Sequence, residues 1–255
     1  MCDKYEDNLA ALIIGSGPDA KRAATLPLDK FNYIITINNA WQVSDAWTHL
    51  VYPYDFAPER MPPIVRTEQT LIDETAFVPA QNRFGGFVYA GGTMAYTTAY
   101  WCLDALRPKH ILHLGCDMHY PKTGATHFYG TGTPDPLRDD ISLTSLEACS
   151  ARFYCLAYLQ GSSVWNLSQG PSRLLYPRTQ LDDFFATGQQ HQPTPDIKKP
   201  TPDIKKIEAC LEMEAALDYV IEDGRYWKHA DKFDRKKLMA LDQKWLEAAS
   251  LLPAK

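Results

Sequence analysis

The chain has 255 residues, 45% hydrophobic and 22% charged, with a formal net charge of -5. That length suits one large domain, or one domain with an appendage, and supports a sizeable core. Lys and Arg are not clustered, which argues against nucleic acid as a main partner, because phosphate-backbone binding needs a basic patch.

No apolar run approaches the roughly 20 residues that span a bilayer. The opening Met1-Cys2-Asp3-Lys4-Tyr5-Glu6-Asp7 lacks the basic and then apolar order of a signal peptide, so the expectation is a cytoplasmic protein without a membrane span. Cysteines at 2, 102, 116, 149, 155 and 210 show neither CxxC nor metal-type spacing and are expected to be buried, reduced thiols. Cys116 neighbours the candidate site, but no base is fixed beside it, and packing is its expected role.

In chain order, the apolar run 9–14 is too short for a helix and predicts a buried strand. Gly15-Ser16-Gly17-Pro18 follows, then a helix over about 19–25, with Pro18 suited to its first turn. A strand, glycine turn and helix in that order favour an anion such as a nucleotide phosphate at the helix amino terminus. A second strand over 33–37 ends in Asn38-Asn39, where the loose dinucleotide pattern expects an acidic residue. Those amides can bind a ribose or base, or simply make a turn.

Residues 40–66 are rich in aromatics and proline, which predicts a strand over 48–52 followed by an irregular wall. Val78 and Phe87-Val88-Tyr89 read as short strands around a Gly85-Gly86 turn. Gly91-Gly92-Thr93 opens a helix closed by Pro108; its glycines either let a ligand approach the backbone or serve packing alone, and a threonine hydroxyl stands beside them. A strand over 111–114 then ends at Gly115, Cys116 and Asp117. In open α/β sheets ligands bind beyond the carboxyl ends of strands, so Asp117, His119 and Tyr120 are candidate site residues.

Residues 121–140 form a long loop dense in glycine, hydroxyls and aromatics, the expected substrate loop, including His127, Tyr129, Thr131 and Arg138. Thr144 with Glu147 reads as a capping box before the stripe Leu146, Cys149, Phe153 and Leu156, and Gly161 ends that helix. A strand over 163–167 and a short helix over 181–185 complete a domain spanning 1–188. The heptad PTPDIKK occurs twice between 193 and 206, so 189–206 reads as an extended linker. Residues 207–255 form a helical segment whose stripes, Ile207, Cys210 and Leu211 and then Leu238, Leu241 and Trp245, need a partner surface. That surface is either the first domain or another subunit, which would make a homo-oligomer through the C-terminal helices. The expected fold is Rossmann-like α/β: a mostly parallel sheet with helices on both faces, plus a C-terminal helical appendage.

Across about 11–185, the motif order is Gly15-Ser16-Gly17-Pro18, then Asn38, then Gly91-Gly92-Thr93, then Gly115-Cys116-Asp117 with Tyr120. After these come Thr126-His127-Phe128-Tyr129-Gly130 and a final strand-plus-serine element over 166–175. This order resembles the bacterial sialyltransferases of glycosyltransferase family 42. The GxGP and G-x-D skeleton is also similar to archaeal-type 6-hydroxymethylpterin diphosphokinases.

The sialyltransferase resemblance implies transfer from a CMP-linked sugar with inversion and without a metal or other cofactor, to a glycan or small-molecule acceptor. It implies nucleotide contacts at Gly15, Ser16, Gly17, Pro18, Asn38, Asn39, Gly92 and Thr93. Ser16 stands where the family has an asparagine, and Thr131 stands where the family's loop histidine follows the glycine. His127, or else His119, is then the expected base, with Tyr120 and Tyr129 donating to the departing phosphate. Asp117 either caps backbone donors or acts directly. The second resemblance implies an ATP- and Mg²⁺-dependent diphosphate or phosphoryl transferase, with Asp117 and one of Asp135, Asp139 or Asp140 holding the metal and Arg138 meeting phosphate. A third reading is a nucleotide- or sugar-binding protein without catalysis.

Overall fold

A computed structural model describes residues 9–120, 124–131, 138–188 and 200–250. Its centre is a six-stranded sheet in which every pairing is parallel: β1 (Ala10–Ile14), β2 (Tyr33–Ile37), β3 (His49–Val51), β4 (Thr70–Ile72), β5 (His110–Leu114) and β6 (Ser163–Asn166). The spatial order is β4-β3-β2-β1-β5-β6. Parallel strands covered on both faces read as continuous apolar runs, which is why β1 is apolar and buried throughout.

Alternate side chains divide the core in two. Ile13, Ile35, Ile37, Val51, Ile111 and Val164 face one helical layer. Leu12, Ile14, Ile34, Leu50, Leu112 and Trp165 face the other. The first layer holds α1 (Glu74–Arg83), α2 (Phe87–Ala90), α3 (Met94–Ala105) and α4 (Leu146–Leu159). The second is thinner, built on a 3-10 helix over Pro18–Thr25 and on α5 (Leu181–Gly188). The expected Rossmann-like α/β architecture is therefore the observed one.

Three local expectations are corrected. Val78 and Phe87-Val88-Tyr89 are helical, not strands. Asp73 caps α1 by accepting from Thr75 N at 3.0 Å, and Gly86 and Gly91, at φ of 82° and 93°, confine α2 to one turn. Tertiary contacts override strand propensity here: the Tyr89 hydroxyl is buried, donating to Glu214 O at 2.8 Å and accepting from Tyr219 N at 3.1 Å. The fourth strand is instead Thr70–Ile72, a short edge. Ser145, not Thr144, caps α4, accepting from Ala148 N at 3.1 Å; Thr144 Oγ1 donates to Asp242 Oδ2 at 2.7 Å, and Glu147 takes two hydrogen bonds from Arg173.

The third correction concerns the repeat. Its first copy lies outside the described residues, but its second is packed. Pro202 is buried, Tyr154 donates to Pro200 O at 2.8 Å, and Asp203 caps α6 (Ile204–Leu217) while its amide donates to Ala248 O. Helix α7 (Arg235–Ala249) lies against α4 and α6 lies against α7, so the surface that covers Ile207, Cys210, Leu238, Leu241 and Trp245 belongs to the same chain. No described helix is long and apolar enough to cross a membrane.

Candidate functional site

Strand β1 is followed outward by β2, β3 and β4, and the chain then crosses to β5 and β6 on its other side. The strand order reverses between β1 and β5, and such a switch point is where an open α/β sheet forms a crevice at its carboxyl edge. A cleft of about 240 Å³ lies there. Its walls are residues 15–18 after β1, Asn38 and Asn39 after β2, residues 115–120 after β5, Thr93 at the start of α3, and Thr126, His127 and Tyr129.

The glycine turn has a packing reason. Gly15 N donates to Leu114 O at 2.9 Å and Gly17 N to Gly115 O at 2.8 Å. A Cβ on Gly15 would lie 2.5 Å from Gly115 O, and one on Gly17 2.7 Å from it. Two strand ends approach too closely for any side chain. The same geometry directs both amides at β5 rather than at a ligand, and the helix that follows is 3-10 rather than α. Phe128 N donates to Ser16 O at 2.9 Å, which ties the 126–130 turn to this element.

Two of the five non-glycine residues with positive φ among the described residues lie at the cleft. Asn38 and Met118 adopt left-handed φ of 52° and 50°, and Gly115 one of 66°. Such conformations in non-glycine residues cost on the order of 1–3 kcal/mol and gather at functional sites. The Asn38 Oδ1 atom is buried with no hydrogen-bond partner, leaving an acceptor unsatisfied among the cleft-lining side chains.

His127 sits in a tight turn closed by His127 N to Gly130 O at 2.9 Å and the reciprocal bond at 3.1 Å. Its Nδ1 lies 2.8 Å from Thr126 Oγ1. Its ring stacks on Tyr129 with centroids 5.0 Å apart and lies 6.1 Å from the Tyr120 ring. Burial holds its pKa below the ordinary imidazole value, which favours the neutral ring. Asp117 accepts from Ser168 Oγ at 2.7 Å, and Oδ1 is buried without a hydrogen-bond partner. Burial raises its pKa, partly offset by the nearby hydroxyls of Ser172 and Ser168. His119 is exposed on the rim.

Three expected site residues lie off the cleft wall. Gly92 N donates to Ser142 Oγ at 3.1 Å, and a Cβ there would lie 2.5 Å from that atom and 2.6 Å from the Tyr226 hydroxyl. Thr131 Oγ1 donates to Gly124 O, closing its own loop. Arg138 binds Asp140, Gly92 O and Tyr226. Thr93 lines the cleft, but its hydroxyl caps α3 by accepting from Tyr96 N.

Arg60 and Phe56 are among the wall residues that the sequence did not single out. Arg60 ends a 3-10 turn over Pro58–Arg60, fixed where Trp41 Nε1 donates to Arg60 O at 2.9 Å, and among the described residues is the only Lys or Arg on the cleft wall. Phe56 stands beside it. The proline-rich wall was legible, but not which of its residues line the cleft.

Cys116 is buried, and burial pushes its thiol well up, consistent with packing. Cys102, Cys149, Cys155 and Cys210 are likewise buried free thiols. Among the described residues no three His, Cys, Asp or Glu side chains group as metal ligands. Asp139 pairs with Arg235, and Asp140 takes bonds from Ser142, Tyr226 and Arg138; Asp135 lies outside the described residues.

Sheet order and cleft together define a Rossmann-like α/β protein with a crevice at the topological switch point. Comparison of the chain with protein-family models, curated proteins and solved structures returns no match.

Proposed function

We propose that the chain is a glycosyltransferase that uses a nucleotide-activated sugar, most specifically a CMP-linked one. The observation that carries this reading is the meeting, at one switch-point cleft, of the 15–18 turn, Asn38, Asp117 to Tyr120 and the His127–Tyr129 pair, which are far apart in sequence. The motif order that resembles the family 42 sialyltransferases supplies the nucleotide and the sugar.

In this reading the nucleotide lies against the 15–18 turn with Asn38 Oδ1 accepting a ribose or base donor. The acceptor hydroxyl attacks the anomeric carbon as the bond to the phosphate oxygen of CMP breaks, which inverts that carbon. The hydroxyl proton passes to Nε2 of His127, whose other nitrogen is held by Thr126, and CMP departs with the bonding electron pair. Tyr120 and Tyr129 hydroxyls and the Arg60 guanidinium face the charge that develops on the phosphate. Asp117, held by Ser168, orients the loop after β5.

The diphosphokinase-type reading is less well supported, because Asp139 and Asp140 are committed to Arg235, Tyr226 and Ser142 instead of converging with Asp117.

Thermal shift with CMP, CDP, UDP, ADP and ATP, with and without Mg²⁺, separates the readings, because a ligand that binds only the native state raises Tm by mass action. A CMP shift without metal is expected; an ATP shift that requires Mg²⁺, with none from CMP, overturns the proposal. If His127→Ala keeps transfer within a few fold of wild type, the base is wrongly assigned.

A further inference from the structure

The stretch that closes the expected substrate loop, residues 138–144, runs along the C-terminal elements and is tied to them three times. Arg235 Nη2 donates to Asp139 Oδ1 at 2.6 Å, and Thr144 Oγ1 donates to Asp242 Oδ2 at 2.7 Å. Between these, the network around the buried Tyr226 makes the closest-knit tie. The Tyr226 hydroxyl donates to Asp140 Oδ2 at 2.9 Å and lies 3.1 Å from Ser142 Oγ and 3.2 Å from Arg138 Nη2.

Those same partners hold Gly92 from both sides of its backbone. Ser142 Oγ accepts from Gly92 N at 3.1 Å, and Arg138 Nη2 donates to Gly92 O at 3.1 Å. The fit is tight enough that a Cβ on Gly92 would lie 2.6 Å from the Tyr226 oxygen. Gly92 precedes Thr93, which caps α3 and lines the cleft together with Met94 and Ala95. A single hydroxyl 134 positions later in the chain (226 minus 92) thus sits at the centre of the network that fixes the amino terminus of α3.

We propose that Tyr226 is a positioning residue of the switch-point cleft: through Arg138 and Ser142 it fixes Gly92, and with it the Thr93 end of α3, so the C-terminal segment is part of the ligand-binding apparatus. Its effect on CMP rests on the nucleotide reading above; the geometric part does not. Tyr226 stacks on Phe87 at 6.1 Å, so Tyr226→Phe keeps the ring and removes only the hydroxyl. Tyr219 is the control. It is buried in the same segment and its hydroxyl accepts from Asp234 N at 2.9 Å; its amide and ring meet Tyr89 of α2, so Tyr219→Phe keeps those contacts and removes only a hydroxyl outside the Gly92, Ser142 and Arg138 network.

The test uses the full chain with hydrogen exchange at 91–98 and 138–143 and CMP as the binding probe. Tyr226→Phe is expected to speed exchange in both stretches by about tenfold and to weaken CMP binding by a similar factor, an effect on the order of one hydrogen-bonding group in a buried network. Tyr219→Phe is expected to lower Tm while leaving CMP binding within twofold. Unchanged exchange at 91–98 in Tyr226→Phe overturns the proposal, and so does unchanged CMP affinity in that variant if wild type binds CMP. If wild type binds no CMP, the nucleotide reading fails, and exchange at 91–98 alone decides the positioning role.

Discussion

Arg152 on α4 and Glu214 on α6 form a two-pronged ion pair in the interior, Nε to Oε1 and Nη2 to Oε2 each at 2.7 Å, with side chains 2% and 6% exposed. The Tyr100 hydroxyl accepts from Nη1 at 2.7 Å, and Trp245 Nε1 donates to Oε1 at 2.8 Å, so the pair joins α3, α4, α6 and α7. This is where the C-terminal segment becomes one core with the sheet.

Removing one partner leaves the other charge buried and uncompensated. Glu214→Gln should lower stability by about 3–5 kcal/mol, and Arg152→Met with Glu214→Leu should lose clearly less, since an apolar pair of similar volume avoids that penalty. Urea unfolding reads both. A loss below about 1 kcal/mol for Glu214→Gln would show that the pair does not hold the segment.

Two buried groups give stability opposite pH slopes. Burial and the nearby Glu214 carboxylate push Asp242 up to about 6, above its unfolded value near 4, so its contribution is full at low pH and lost as pH rises through 6. Asp242→Asn should keep the Thr144 hydrogen bond and stabilise the chain by about 1–2 kcal/mol at pH 8, with little effect at pH 4. Burial pushes His113 down to about 3, so its contribution is full above 6.5 and lost as pH falls toward 3. His113→Leu should flatten the acid limb of stability against pH; denaturation at half-unit pH steps measures both slopes.

The glycine turn should tolerate no side chain. Gly15→Ala and Gly17→Ala force a Cβ against the Gly115 carbonyl, a backbone atom that cannot rotate away, and each should cost on the order of 2 kcal/mol or more. Gly170→Ala, where nothing lies within 4 Å, is the control expected to change Tm by less than a degree or two. Equal behaviour of all three variants would contradict the close approach of β1 and β5.

Arg60 should act on ligand and not on fold. Arg60→Gln removes an exposed guanidinium whose backbone, not side chain, is anchored by Trp41. CMP affinity should fall about tenfold, the loss of roughly one charge-assisted contact, with Tm nearly unchanged. Isothermal titration decides this, and undiminished affinity removes Arg60 from the site.

What the sequence by itself determined was local. Buried strands announce themselves through continuous apolar runs, so β1, β2 and β5 were legible nearly to their ends, and their glycine or asparagine exits followed. The cleft residues after those strands were legible for the same reason, because a parallel sheet puts every strand's exit on one edge. Tertiary structure decided the rest. Phe87-Val88-Tyr89 is a helical turn because the Tyr89 hydroxyl meets Glu214, 125 positions away. The second PTPDIKK copy is a helix start because Ala248 receives the Asp203 amide. Gly92 is held from the far end of the chain by Tyr226, and the exposed Arg60 joins the cleft wall from a proline-rich stretch. These contacts join positions with no periodic relation in sequence, so only the closed core could bring them together.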